Sequence, residues 1–342
     1  MTGKTVMEPA RLIGLDWGTS SLRAYLMGEG GQILAESCAA SGVLHLERFR
    51  RDSGEKVSKE RLFEAALDDV CRGWAVNGTE NLPVIACGMV GSNAGWKEAA
   101  YLETPIRIDE IAKSLTIVER ANASAVHIVP GVCSMGEPGK VLPEVMRGEE
   151  TQVAGILSLL GGSESAENGD WLIGLPGTHS KWVQVRQKQI RSFMTFITGE
   201  MYGLLTRYSI VAKAQGLPAC ADQEAFEAGL RVVDANEAGG GLLSTIFSTR
   251  SKRMLGYLRE EQQASYLSGL LIGEELAGVE QVLAHGGQEL NDFSRLLLAG
   301  DAELCAKYRV ACGQRNWPAV EVVEGATERG LWRVACKAKL VK

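Results

Sequence analysis

Apolar positions along the chain fall into two widely separated copies of one pattern. Leu12, Ile13, Gly14 and Leu15 form a short apolar run, a turn carries Asp16, Gly18, Thr19 and Ser20, and a second apolar run follows from Leu22 to Tyr25. Leu172, Ile173, Gly174 and Leu175 repeat the first four residues, Gly177, Thr178, His179 and Ser180 supply the turn, and residues 181–185 the second run. Each copy leads into a further strand pattern, at 32–38 and at 189–196. Short apolar runs bounded by Gly and hydroxyl residues read as strands joined by tight turns. A repeat at about half the chain length implies two related lobes rather than a solenoid.

Between and after these hairpins the period changes. Leu62, Phe63, Ala66, Leu67, Val70 and Trp74 have helical spacing and predict a helix over 60–75. The polar stretch 41–60, with its charge cluster at 48–52, reads as a solvated loop. A buried-type strand is expected at 83–87, an amphipathic helix at 108–122, a strand at 125–130, a loop at 131–143, and a helix opening near 147 and running to about 160. The Gly- and Ser-rich stretch 161–169 has linker composition, which places a first domain at 1–165 and a second at 166–342. In the second domain three strands from Asp170 precede a helix at 201–208 with Thr198 as its N-cap. Helices are expected at 222–233, 241–258 and 261–285, the last carrying Gly269 and Gly273 four residues apart, which permits close helix packing. A strand at 295–299, a helix at 302–311, a strand at 319–323 and a helix at 326–338 complete the pattern. The fold class is α/β.

Composition narrows the function classes. The 342 residues carry a net charge of −6, so no basic face for nucleic acid is implied, and no apolar run approaches a membrane span. Eight Cys and four His are dispersed without metal-ligand spacing, which suits thiols in a reducing cytoplasm and no zinc site.

The candidate chemistry gathers at the turns. A carboxylate at the end of a strand, Asp16, is placed to hold a cation, and Gly18, Thr19 and Ser20 offer N–H and hydroxyl donors to a phosphate. Neither a Walker loop nor a dinucleotide fingerprint is present. A Gly/Ser/Asn loop with one aromatic follows the strand at 83–87 and carries Met89, Ser92, Asn93 and Trp96, a composition suited to a hydroxylated ligand. Arg147 and Gly148 precede two adjacent carboxylates, Glu149 and Glu150, at a predicted helix start. Those acids suit either a catalytic base or simple complementarity to the helix dipole. Gly300 closes a further strand–Gly–helix turn.

The stretches DWGTSSLRAYL, GMVGSNAGWKEAAYL, VMRGEETQVAGIL, LPGTHSKWVQV, TGEMYGLL and YLSGLLIGEEL occur in this order over nearly the whole chain. Together they resemble the 2-dehydro-3-deoxygalactonokinase family of the actin-like ATPase and sugar kinase superfamily. The resemblance implies two ribonuclease H-like domains with a nucleotide cleft between them. It also implies ATP and Mg²⁺ as cofactors and transfer of the γ-phosphoryl group to the 6-hydroxyl of a small sugar acid, 2-dehydro-3-deoxy-D-galactonate. It assigns Asp16 to the metal and Gly18, Thr19, Ser20, Gly177, Thr178, His179, Ser180, Lys181 and Gly300 to the nucleotide. A helix-start motif SG-x-EEA carries the catalytic Glu of the related exopolyphosphatases, and by that likeness Glu149 or Glu150 is the base, with Asp16 competing. Arg23, Met89, Ser92, Asn93, Trp96, Arg147 and Glu200 are the candidate substrate contacts. A kinase for the gluconate epimer and a phosphohydrolase on the same fold are the alternatives. The expected partner is a small molecule, with neither nucleic acid nor membrane, and a homodimer is left open.

Overall fold

The computed structural model describes residues 9–54, 56–77, 81–121, 123–136, 142–160, 169–212, 222–234 and 241–341. Two compact units emerge: 1–168 with 186–192 and 325–342, and 169–185 with 193–324. The expected cut between 165 and 166 lies outside the described residues, and the division does not follow one cut, because the C-terminal helix belongs with the first unit.

In the first unit, strands β1 (Leu12–Trp17), β2 (Leu22–Met27), β3 (Ile33–Ala39), β4 (Val84–Cys87), β7 (Thr116–Val118) and β8 (Val126–Ile128) form a sheet in the order β3-β2-β1-β4-β8-β7. β1 pairs antiparallel with β2 and parallel with β4. Both faces of β1 are covered, which explains an apolar run in place of alternation. A smaller sheet joins β5 (Tyr101–Glu103), β9 (Gly131–Ser134) and β10 (Glu144–Met146), and β6 (Ile106–Arg107) pairs antiparallel with Gln189 and Ile190. One core unites Trp17, Phe63 and Trp96 with the sheet, their ring centroids 5.1 to 6.0 Å apart.

Five α-helices complete this unit among the described residues: α1 (Val43–Asp52), α2 (Lys59–Cys71), α3 (Ile108–Lys113), α4 (Glu149–Leu160) and, where the chain returns, its last helix, Ala326–Lys337. Three expectations are corrected here. The polar stretch 41–60 contains α1, because Val43 and Leu46 face the core while its Arg-rich run occupies the solvent side. The helix expected over 108–122 stops at Lys113, where Ser114 caps it, and β-branched Thr116, Ile117 and Val118 pair with β8 instead. The loop expected at 131–143 begins with β9.

In the second unit, β11 (Asp170–Leu175), β12 (Ser180–Arg186), β13 (Gln189–Phe196), β14 (Arg295–Leu298) and β15 (Val320–Val322) lie in the order β15-β14-β11-β12-β13. The hairpin and third strand repeat the start of the first sheet, as the sequence repeat requires. Helices α5 (Thr198–Tyr208), α6 (Gln223–Asp234), α7 (Leu242–Thr245), α8 (Ser248–Met254), α9 (Gln263–His285) and α10 (Ala302–Gln314) follow, and Ala326–Lys337 is α11. The single helix expected over 241–258 is thus two short ones. Thr198 is the first residue of α5 rather than its N-cap, a position taken by Ile197. Gly269 packs α9 against the Phe226 carbonyl of α6, the close approach expected of its small residues.

The tightest joint in the first unit is α4 on α11. A Cβ on Gly155 would sit 1.8 Å from the Ala326 carbonyl oxygen, and one on Gly330 would sit 1.8 Å from that of Thr151. Helix propensity favours Ala over Gly by about 1 kcal/mol. A backbone oxygen cannot move aside without parting the helices, and overpacking costs about 1–3 kcal/mol or more. Gly155→Ala is therefore expected to be net destabilising, seen as a lower midpoint in urea melts. An unchanged or raised midpoint would contradict this packing.

Candidate active site

The parallel register sets Asp16 beside Cys87, so β1 and β4 end side by side. Gly88, at φ +88°, turns the chain directly over this end, where a Cβ would lie 2.9 Å from the Trp17 carbonyl oxygen. Gly148, at φ +112°, brings the start of α4 to the same place, its missing Cβ only 3.3 Å from the Gly88 Cα. Two positive-φ glycines thus let an acid-bearing helix start abut two strand ends. Asp16 faces Arg23 across the hairpin. Burial pushes the Asp16 carboxyl up, Arg23 pulls it down, and the charges of Glu149 and Glu328 raise it further.

Glu149 and Glu150 have different surroundings. Glu149 is half-buried, and its Oε2 accepts the Arg147 N–H at 3.0 Å. Glu150 is fully buried, with Oε2 accepting the Gly148 N–H at 2.7 Å and Oε1 accepting the Thr151 hydroxyl at 3.0 Å. Burial, then the neighbouring Glu149 charge, push the Glu150 carboxyl up to about 8 against these hydrogen bonds.

The loop after β4 is a tight turn closed by the Ser92 side chain. Ser92 Oγ donates to the Met89 carbonyl at 2.7 Å and accepts the Gly95 N–H at 3.1 Å. Asn93 is exposed, and Met89 packs on the core. Trp96 is buried among Trp17 and Phe63, its indole N–H without a partner among the described residues. Arg147 stacks on the Tyr101 ring at 4.2 Å and donates to the Ala99 carbonyl at 2.8 Å. Its Nη1 is buried without a hydrogen-bond partner among the described residues and lies beside Gly91. Arg23 is exposed. The Gly18–Ser20 turn closes with the Gly18 N–H on the Ser21 carbonyl at 2.9 Å, and the carbonyls of Gly18 and Thr19 accept the first N–H groups of α1.

In the second unit the turn from Gly177 to Lys181 rests on a buried network. Ser180 Oγ accepts the Gly177 N–H at 3.4 Å and meets the Tyr308 hydroxyl at 3.1 Å. Tyr308 donates to Glu275 at 2.6 Å, Trp182 donates to the same carboxylate at 2.8 Å, and the Thr198 hydroxyl donates to it as well. Burial raises the Glu275 carboxyl, and these donors lower it. Thr178 is exposed, and its carbonyl accepts the Glu200 N–H at 3.0 Å. Glu200 faces His179 Nε2 at 2.6 Å in an exposed pair, and the Lys181 ammonium donates to the His179 carbonyl at 3.1 Å. Gly300, at φ +149°, sits 3.2 Å from the Pro176 carbonyl by its missing Cβ. A pocket of about 120 Å³ opens beside Gly177, walled by Thr198, Tyr202, Leu271, Leu304 and Lys307.

Glu275, Tyr308 and Glu328 escape sequence reasoning. A carboxylate on the apolar face of α9, among Leu271, Ile272, Leu276 and Val279, is the signal that could have exposed Glu275.

The model of the 2-keto-3-deoxy-galactonokinase family matches residues 16–334. The chain belongs to this family. An Escherichia coli (strain K12) 2-dehydro-3-deoxygalactonokinase is 36% identical over 303 residues, 88% of this chain and 89% of that protein. A Rhizobium meliloti (strain 1021) protein named for the same activity is 33% identical over 331 residues, 93% of this chain and 96% of its own length. The crystal structure of a Sinorhizobium meliloti protein of that name superposes with a TM-score of 0.76 at 33% identity, covering 95% of this chain and 98% of the other. The fold of this 2-keto-3-deoxy-galactonokinase family member is accordingly the two-domain actin-like ATPase fold, and kinase membership entails use of a nucleotide.

The raised Glu150 carboxyl has a pH signature. Below about 4.5 it is protonated whether the chain is folded or not; between 4.5 and about 8 only the unfolded chain releases the proton. Stability is therefore lost as pH rises through this window, by up to about 1.4 kcal/mol per unit, and the loss is complete above it. Glu150→Gln removes this dependence. The variant's thermal midpoint, relative to the native chain, is expected to climb from pH 4.5 to 8 and then level. A constant difference would contradict a buried, protonated Glu150.

Proposed function

We propose that this chain transfers the γ-phosphoryl group of ATP to the 6-hydroxyl of 2-dehydro-3-deoxy-D-galactonate, giving 2-dehydro-3-deoxy-6-phospho-D-galactonate and ADP in D-galactonate catabolism. Family membership supports the reaction class. The observation that carries the site is the meeting of Asp16, the Gly88 loop and the acid-bearing start of α4 at the ends of β1 and β4.

Phosphoryl transfer asks mainly for positioning and for a group to take the hydroxyl proton. Glu149 is the base in this reading, because Glu150 is fully buried with both oxygens engaged. Glu150 instead holds the Gly148 turn that aims its neighbour. As O6 bonds to the γ-phosphorus, the bond to the β-phosphate oxygen breaks, ADP leaves, and the O6 proton passes to Glu149. Asp16, with Glu149 and Glu328 acting on its charge, is a hard oxygen site suited to Mg²⁺ held through water. No described group of three or more ligand-type side chains could cage a metal, which fits an ion that keeps waters and phosphate oxygens. When bound, Mg²⁺ would neutralise phosphate charge.

The Gly18, Thr19 and Ser20 turn and the Gly177, Thr178, His179, Ser180 and Lys181 turn are assigned to phosphates. The pocket beside Gly177 suits the nucleoside, with Tyr202, Leu271 and Leu304 as its apolar walls and Lys307 as its cation. Gly300 would admit the ribose or base to the backbone. For the acid, the unpartnered Arg147 Nη1 suits the carboxylate, as a single donor rather than a fork because Nη2 is already committed. Met89, Ser92, Asn93 and Trp96 shape that loop, Trp96 from the core, and Arg23 and Glu200 are exposed candidates for hydroxyl contacts. No described helix is long and apolar enough to cross a membrane, and the seven described cysteines are free thiols; the location in this reading is the cytoplasm, with a small molecule as partner.

The test is acceptor-dependent ADP release with Mg-ATP in a coupled assay. Release with 2-dehydro-3-deoxygalactonate should exceed that with its gluconate epimer or without acceptor. Glu149→Gln should lower kcat by about 100-fold or more with little change in the ATP KM, and Asp16→Asn should abolish turnover in a folded chain. Acceptor-independent release would overturn the reading, and full activity of either variant would overturn its assigned role.

A further inference from the structure

Three of the stretches singled out in the sequence meet at one buried carboxylate of the second unit. Gly177, Ser180 and Trp182 come from LPGTHSKWVQV, Thr198 from TGEMYGLL and Glu275 from YLSGLLIGEEL, and Tyr308 of α10 joins them. Glu275 is 2% exposed, makes no salt bridge among the described residues, and sits on α9 among buried Leu271, Ile272, Leu276 and Val279. An apolar residue of its size would be cheaper to bury there. What a carboxylate adds is two oxygens that only accept, and so a fixed direction for the hydrogen bonds around it.

The Trp182 indole can only donate, and it donates to Oε1. Oε2 takes the protons of Tyr308 and Thr198. Tyr308 has then spent its one proton, so toward Ser180 Oγ, at 3.1 Å, its oxygen accepts. The Ser180 proton is thereby turned inward, and the lone pairs of Ser180 Oγ are left to receive the Gly177 N–H at 3.4 Å. Ser180 is itself buried, so its hydroxyl supports the turn from beneath rather than reaching a ligand. The second arm runs through Thr198 at the start of α5. A Cβ on the next residue, Gly199, would lie 2.4 Å from the Gly177 carbonyl oxygen, and the Glu200 N–H donates to the Thr178 carbonyl at 3.0 Å. One carboxylate thus grips the turn from below through Tyr308 and Ser180, and from the side through Thr198. Thr198 and Tyr308 also wall the pocket beside Gly177.

We propose that Glu275 is a positioning residue for nucleotide binding, which sets the direction of the hydrogen bonds in this network and so fixes the turn at 177–181 for phosphate. The proposal rests on the assignment of that turn and its pocket to the nucleotide. Direction rather than bulk is the property at stake, and an amide separates the two because one of its ends donates. With its NH₂ group in the place of Oε1, a glutamine would face the Trp182 N–H, donor against donor. With NH₂ in the place of Oε2, Tyr308 and Thr198 would have to accept, and the reversed Tyr308 proton would compete with the Gly177 N–H for Ser180 Oγ. Either placement loses a buried hydrogen bond to a turn whose shape depends on it.

The experiment is calorimetric titration of the full chain with a nonhydrolysable ATP analogue and Mg²⁺, which needs no acceptor. Glu275→Gln should weaken binding about tenfold or more. Adding Trp182→Phe to that variant removes the opposing donor and lets the amide oxygen face Tyr308 and Thr198. The double variant should therefore recover most of the lost affinity, although the smaller ring lowers its thermal midpoint further. A Glu275 that served stability alone would give the opposite pattern, with the midpoint falling at each change and the affinity of the folded chain unmoved. Unchanged affinity in Glu275→Gln, or no recovery in the double variant, would overturn the proposal while leaving the nucleotide assignment intact. Absence of analogue binding to the native chain would overturn both. Should Glu275→Gln fail to fold, Tyr308→Phe decides, because it removes the hydroxyl between Ser180 and the carboxylate and keeps the ring. Unaltered affinity in that variant would overturn the proposal equally.

Discussion

Several carboxylates gathered with little solvent at the end of one strand pair set the conditions that the first unit must meet. Burial raises the carboxyls of Asp16 and Glu150, and the charge of Glu149 beside them raises both further. Like charges so placed are tolerated only when backbone donors are fixed in position, or when a proton or cation is taken up. The backbone supplies two such donors at the start of α4, the N–H groups of Arg147 and Gly148. Gly148 and Gly88 allow this because neither needs room for a Cβ.

The rest of the unit keeps that helix start where it is. Gly155 and Gly330 bring α4 and α11 to backbone contact, Gly330 at Thr151 beside the acids and Gly155 further along the helix, so the acids are anchored by a joint with no side-chain slack. Behind the second hairpin a different solution serves the same need. Glu275 makes no salt bridge among the described residues and is satisfied by Trp182, Tyr308 and Thr198, which fixes Ser180 beneath its turn.

Both hairpins were legible because a covered strand needs an unbroken apolar run and a tight turn needs Gly and short polar residues. The acids at Glu149 and Glu150 were legible as a pair, but not their division of roles, since burial of one and not the other is set by tertiary packing. The helix at Val43–Asp52 was hidden by its Arg-rich exposed face, and the stop at Lys113 by β-branched residues that also fit a helix pattern. Trp96 read as a loop aromatic but packs on Trp17 and Phe63, partners distant in sequence. That α11 rejoins the first unit follows from long-range packing and has no local signal.

Burial and the neighbouring Glu149 charge leave Glu150 holding a proton near neutral pH within this cluster. A ¹³C NMR titration of the protein labelled at glutamate Cδ tests it most directly. One resonance should titrate near pH 8 and vanish in Glu150→Gln. Titration of every glutamate below about pH 6 would contradict the claim.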